Sequence, residues 1–363
     1  MIDLFNNFYK GKRVLVTGHT GFKGSWLSIW LHELGAEVVG VALDPYSDKD
    51  NYVLSGIGTK IKADLRADIR DGEQMKQIFA KYQPEIVFHL AAQPLVRLSY
   101  DIPVETYEAN VMGTIHVMEA IRATESVKVG VMITTDKCYE NKEQIWGYRE
   151  NEPMGGYDPY SSSKGAAEIA INSWRRSFFN PADYGKKHHV ALASVRAGNV
   201  IGGGDFANDR IIPDCVRAMQ KGSSIGVRNP YSTRPFQHVL EPLGVYLLIA
   251  QKQYEDKSYA GFYNVGPDEC DCVTTGQLVD LFCKYWGDGA AWENQAEENA
   301  PHEANFLKLD CSKVKRVFGW APRWHIEECM DMTCRFSKEW LAGGDIPAEM
   351  DREIEAFYAQ KES

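Results

Sequence analysis

The chain has 363 residues, 44% hydrophobic and 25% charged, an ordinary globular composition with length for one large domain and a smaller lobe. Its formal net charge of −10 argues against holding nucleic acid through phosphate contacts, while leaving room for local basic pockets that take small anions. No apolar run reaches the length of a membrane span and MIDLFNNFYKGKR lacks the apolar centre of a signal peptide, so we expect a cytoplasmic protein with no nucleic-acid and no membrane partner.

In chain order, RVLVTG (13–18) reads as a buried strand and FKGSWLSIWLHELG (22–35) as an amphipathic helix closed by Gly35. EVVGVALD is a second strand ending on Asp44. IVFHLAA (86–92), VGVMITT (129–135) and VALASVR (190–196) are further apolar runs of strand length. Helical patterns lie between them over 71–81, 103–123 and 160–178. That alternation predicts an α/β fold, a Rossmann-type doubly wound parallel sheet covered on both faces.

After about Asn199 the alternation becomes irregular and rich in Gly, Pro and Arg, with helical patterns near 274–286 and 326–341 and an acidic loop over 293–303. The expected organisation is a dinucleotide-binding domain over 1–199, with a returning segment near 237–263. A smaller C-terminal substrate-binding lobe takes 200–236 and 264–345, and 346–363 is a C-terminal tail. The lobe should sit over the carboxyl edge of the sheet, where open α/β sheets bind ligands. Eight cysteines form no C-x-x-C pair, the C-x-C at Cys270 and Cys272 has no matching partner, and the nine histidines show no ligand spacing. We expect reduced thiols and no metal.

The loop TGHTGFKG follows the first strand and opens a helix. Gly18 allows the turn, Gly21 lets backbone amides approach a pyrophosphate, and Gly24 lets the helix pack close to the sheet. His19, Phe22 and Lys23 belong to the same cradle. Asp44 suits a ribose diol and repels a 2′-phosphate, and no arginine replaces or directly follows it, so the cofactor is expected to be NAD. In ADIRD, Asp68 and Ile69 reach the adenine. Leu90, Ala91 and Ala92 of HLAAQ leave space for a cofactor backbone.

Tyr160 and Lys164 stand at i and i+4 of a helix, on one face. An ammonium beside the phenol favours phenolate and should lower the tyrosine pKa toward working pH, while Lys164 also reaches the nicotinamide ribose. With a hydroxyl from Thr135, the pair can take a proton from an alcohol while hydride leaves its carbon.

On TGHTGFKG, DIRD, HLAAQ, NVMGT, TTDKCY, YSSSK and RAGNVIGGGD, the chain resembles the extended short-chain dehydrogenase/reductase family from about Lys12 to at least Trp320. Within it the chain is similar to the nucleotide-sugar 4,6-dehydratases, and NDRIIPD, RPFQHV and the lysine after Thr135-Asp136 point to the CDP-glucose branch. The dTDP- and GDP-sugar members carry glutamate in place of Lys137. The resemblance implies CDP-glucose as substrate and tightly held NAD. Carbon 4 is oxidised, water is lost across carbons 5 and 6, and hydride returns to carbon 6. Tyr160 takes the 4-hydroxyl proton and Asp136 is the acid that expels water. Lys137 is either the carbon 5 base or the cation that stabilises the enolate. Arg210, Arg228 and Arg234 supply cations for the diphosphate, since arginine's fork suits phosphate oxygens. The resemblance adds Gln93, Asn199, Asn264 and His302 as nucleotide-sugar contacts. It implies a homodimer or homotetramer pairing through helices 103–123 and 160–178. A nucleotide-sugar 4-epimerase and an NAD-sensing binding protein are the alternatives.

Overall fold

A computed structural model describes residues 5–296 and 305–359. Its centre is an all-parallel sheet of seven strands: β1 (Arg13–Thr17), β2 (Glu37–Ala42), β3 (Ala63–Arg66), β4 (Ile86–His89), β5 (Val129–Thr135), β6 (Ala191–Ala197) and a last strand, Phe262–Val265. In space the last strand is followed by β6, β5, β4, β1, β2 and β3. The chain winds outward from β1 in one direction and from β4 in the other. A crevice therefore opens between the carboxyl ends of these two neighbours. Period-2 alternation divides the core between the two faces. Val14 and Val16 of β1 point to one apolar cluster and Leu15 to the other, and in β5 Val131 and Ile133 oppose Met132.

Strands β3 and Phe262–Val265 were not among the apolar runs. ADLR is half-exposed and carries two charges at an edge, and FYNV is four residues long, so neither offers a long apolar signal. The helix expected to be amphipathic, α1 (Phe22–Glu33), is instead buried all along Gly24–Leu31. Its outer side is covered by the segment expected as a C-terminal tail, which contains the docked helix Ile346–Ala359. There Trp30 meets Phe357 and Tyr358 edge-on at 5.6 and 5.7 Å. A helix covered on both sides loses its polar face.

The 103–123 pattern forms one helical run with a π-helical turn at Glu108–Gly113. Inside that turn Asn110 accepts from the Gln93 amide at 2.8 Å and donates to the Ser163 hydroxyl at 2.9 Å, tying this run to Pro159–Ser177. After Asn199 the chain supplies short two-stranded ribbons and the helices Ile211–Lys221, Thr275–Trp286 and Ile326–Leu341, while Leu240–Glu255 returns to the sheet. One apolar cluster runs through both this part and the α1 face of the sheet. Among the described residues, no helix is long and apolar enough to cross a membrane.

Candidate active site

Gly18 leaves β1 with φ of 76°, and a Cβ there would stand 2.7 Å from the Ala91 amide nitrogen, so the loop presses against the end of β4. A Cβ on Gly24 would lie 2.0 Å from the Gly18 carbonyl oxygen. Gly24 thus backs the loop itself, where the sequence suggested close packing to the sheet. At Gly21 the added Cβ would meet only that carbonyl, at 3.4 Å, which leaves its outer side open to a pyrophosphate at the start of α1. Thr17 Oγ1 accepts from the Leu90 and Ala91 amides, both at 3.2 Å, fixing the other wall, with Ala92 next along it. Phe22 packs on the core beside Gly202. These features fit a dinucleotide.

At the ribose end, Asp44 is exposed and its Oδ1 accepts from Arg66 Nε at 2.9 Å. Arg66 also holds Asp64 at 2.6 Å and the Tyr52 hydroxyl at 2.9 Å. Sequence reading looked for an arginine next to Asp44 and missed this one, which β3 brings across from the neighbouring strand. The His19 ring lies over Gly40 and bonds Asp64 at 2.6 Å, so its side chain faces the sheet and only its backbone serves the loop. Asp68 is engaged by Arg70 at 2.6 Å, and Ile69 is buried beside Gly113.

The catalytic candidates meet at the end of β5. Asp158 caps the helix Pro159–Ser177 by accepting from the Ser161 amide at 2.9 Å, a contact of about 1 kcal/mol. Gly165, whose Cβ would stand 3.1 Å from the Cys138 carbonyl, lets that helix lie against the 136–138 turn. Thr135 Oγ1 donates to Asp136 Oδ1 at 2.9 Å and accepts from the Lys137 amide at 3.3 Å. The Thr135 hydroxyl also faces the Tyr160 phenol and favours its ionised form. Asp136 is 2% exposed, its Oδ2 has no partner among the described residues, and burial raises its pKa against the pull of Lys137 and Arg234. Such a carboxyl is held toward its neutral, proton-donating form.

Two lysines stand near neutrality. Burial lowers Lys164 to about 8 and Lys23 to about 7, the latter helped by the nearby Lys164 and Arg210. Tyr160 departs from expectation. Burial outweighs its hydrogen-bonding and cationic neighbours and raises the phenol to about 12.

Arg210 and Arg234 reach this centre. Arg210 pairs with Asp205 at 2.9 Å while acting on Tyr160, and buried Arg234 acts on Asp136. Arg228 is engaged by Asp209 at 2.7 Å and Asp214 at 3.1 Å, outside the catalytic group. Asn199 stands at the turn after β6, its carbonyl accepting from the Gln237 amide. The Gln93 side chain is engaged locally by Leu95 and Thr106. Asn264 is fully buried, accepting from the Tyr139 hydroxyl at 2.6 Å and donating to the Tyr148 carbonyl at 2.7 Å, so the fold gives its amide a bracing place among protein groups. His302 lies outside the described residues. Cys270, Asp271 and His325 bring ligand-type atoms within 4.8 Å of one another. The Asp271 carboxylate there accepts from the Ile326 amide and bonds the His325 ring, the arrangement of a helix cap.

A family model described as GDP-mannose 4,6 dehydratase matches residues 15–333. A CDP-glucose 4,6-dehydratase of Salmonella typhimurium is 51% identical over 98% of this chain and 98% of its own. A CDP-paratose 2-epimerase of Salmonella typhi is 31% identical over 86% of this chain and 95% of its own. Among solved structures, the Thermus thermophilus UDP-glucose 4-epimerase complex with NAD has a TM-score of 0.75 at 24% identity, covering 90% of this chain and 99% of that one, a likeness of fold.

Proposed function

The chain belongs to the GDP-mannose 4,6 dehydratase family, and from that premise we propose that it converts CDP-D-glucose into CDP-4-dehydro-6-deoxy-D-glucose, as a hydro-lyase with NAD as cofactor. Gly18, Gly21, Gly24, Leu90, Ala91 and Asp44 hold the dinucleotide. NAD, when bound, would supply the hydride acceptor and donor that the oxidation at carbon 4 and the reduction at carbon 6 need. Tyr160, as the phenolate that the Lys164 ammonium favours and with Thr135 beside it, takes the proton of the 4-hydroxyl. The resulting ketone acidifies the proton on carbon 5. Asp136 then protonates the departing 6-hydroxyl, so water leaves rather than hydroxide. Lys137, next to the acid, acts on the carbon 5 proton, which leaves for the elimination and is replaced at carbon 5 as hydride reaches carbon 6, and Arg210 and Arg234 meet the diphosphate.

The observation that carries this reading is the buried Asp136 carboxyl with a partnerless oxygen, set against the Thr135–Tyr160 pair. A 4-epimerase needs no acid to expel water. Turnover of CDP-, UDP-, dTDP- and GDP-glucose, followed by mass, tests the substrate. Loss of one water from CDP-glucose in preference to the others is expected, and preference for another nucleotide overturns the cytidine assignment. Lys137→Met and Lys137→Glu should both change solvent deuterium uptake at carbon 5, and unchanged uptake in both removes Lys137 from that proton transfer. The exposed side chains of Val104, Tyr107 and Met112 on one helical run and Ile169 on its neighbour support a homodimer through this face.

A further inference from the structure

A buried polar network lies directly behind the catalytic group. Glu168 follows Tyr160 and Lys164 at successive i+4 steps on the Pro159–Ser177 helix, and it is 1% exposed. Its Oε1 accepts from the Thr134 hydroxyl, and its Oε2 accepts from Ser194 Oγ at 2.9 Å and Arg196 Nη2 at 2.7 Å. Arg196 passes the network on, donating through Nη1 to the Tyr139 hydroxyl at 2.8 Å and the Glu150 carbonyl at 3.0 Å. Tyr139 in turn donates to Asn264. One carboxylate thereby ties the helix of Tyr160 and Lys164 to β5 through Thr134, which Thr135 and Asp136 follow, and to β6 through Ser194 and Arg196.

The same carboxylate has an electrostatic position. Lys164 is 6% exposed, and its ammonium makes no hydrogen bond or ion pair with another described residue. Around it stand Lys23 from α1, His89 from β4, Cys138 from the 136–138 turn and, one turn back on its own helix, Tyr160, while Asp136 and Arg210 act on Lys23 and Tyr160. His89 is held neutral by burial and Cys138 is a buried thiol, while Lys23 and Arg210 oppose a further positive charge. Among the groups that act on Lys164, Glu168 is the carboxylate that favours its ammonium.

We propose that Glu168 is a positioning residue of the reaction, anchoring the Tyr160–Lys164 helix to β5 and β6 and keeping Lys164 charged through an unshared part of its negative charge. Arg196 takes up the rest and prevents Glu168 from pairing with Lys164 outright. Lys164 stays free to bond the nicotinamide ribose and to favour the Tyr160 phenolate. This rests on the dehydratase reading of the site.

The test is the pH dependence of kcat with CDP-glucose and NAD. Because Glu168 raises the Lys164 pKa, Glu168→Gln lowers it, and the alkaline fall of kcat moves about one pH unit toward acid, in the range for a charge within a helical turn. On the alkaline side this is about a tenfold loss of kcat, with KM within about twofold of wild type. Glu168→Asp keeps the charge and perturbs the bonds, so it lowers kcat at every pH with its alkaline limb in the wild-type place. Should Glu168→Gln fail to fold with Arg196 left unpaired, the double variant Glu168→Gln, Arg196→Gln removes both buried charges and must show the shift. An unshifted limb in a folded variant lacking the carboxylate overturns the inference, as does an equal shift in Glu168→Asp. Wild-type protein that leaves CDP-glucose untouched would instead overturn the dehydratase reading.

Discussion

Replacing Asp136 by asparagine separates the elimination from the oxidation. The side chain keeps its size, and the new amide oxygen can still accept from Thr135, whose hydroxyl donates at 2.9 Å in the native site. The position of the partnerless Oδ2 becomes an amide nitrogen with no proton to give a leaving hydroxide. General acid catalysis contributes about 10²- to 10⁴-fold, so dehydration should slow by that factor, about 3–5 kcal/mol in barrier. Tyr160, Thr135 and Lys164 are untouched, so carbon 4 should still be oxidised. The assay is a single turnover with CDP-glucose, following reduced-nicotinamide absorbance and, by quenched mass spectrometry, loss of water. Reduced cofactor should accumulate and persist in Asp136→Asn. Wild-type dehydration in that variant would refute Asp136 as the acid, and loss of the oxidation step as well would refute its separation from the Tyr160 chemistry.

Asp44→Ser removes the carboxylate facing Arg66 Nε and leaves the guanidinium to a 2′-phosphate, so NADP binding measured by calorimetry should tighten at least tenfold. The gain should vanish in Asp44→Ser, Arg66→Ala, and a gain that survives there would remove Arg66 from cofactor choice. Gly24→Ala should fail to fold or melt far below wild type, because its Cβ would stand 2.0 Å from the Gly18 carbonyl. Gly21→Ala should keep the melting temperature and weaken NAD binding, since its Cβ enters the open side of the loop, and equal melting of both variants contradicts this division. Burial raises Glu241 from 4.5 to about 7, even though Oε1 accepts from the Arg323 and Trp324 amides, both at 2.7 Å. The folded state therefore holds a proton that the unfolded chain has released across that interval. Stability is greatest below the unfolded pKa and falls by about 3 kcal/mol as pH rises through the folded one. Denaturant titrations should show this slope in wild type and its loss in Glu241→Gln, and identical slopes refute it.

Local signals carried well where chemistry and fold coincide. The glycine loop and the 326–341 helix stand where their residues place them, and the strand runs do so except at their ends, β2 stopping at Ala42 short of Asp44 and β4 at His89, because turn geometry and residue periodicity are written in adjacent residues. Long-range partners were less legible. Arg66 lies 22 residues from Asp44 on a weakly patterned edge strand, and only sheet pairing brings them together. Glu168 was visible as a third step in the Tyr160–Lys164 spacing, but its partner Arg196 is supplied by β6, beyond local reading. α1 was misread because its amphipathic test assumes one free face, and the helix Ile346–Ala359 removes that face. Tyr160 went astray in sign because helical spacing reveals a neighbouring charge and says nothing of burial, which here is the larger effect.

Incubation with CDP-glucose deuterated at carbon 4 tests the central claim most directly. If one site oxidises carbon 4, expels water and returns the same hydride, the product lacks one water and carries the deuterium at carbon 6. Deuterium lost to solvent, deuterium restored to carbon 4 as in an epimerase, or substrate recovered with its water intact would contradict the account.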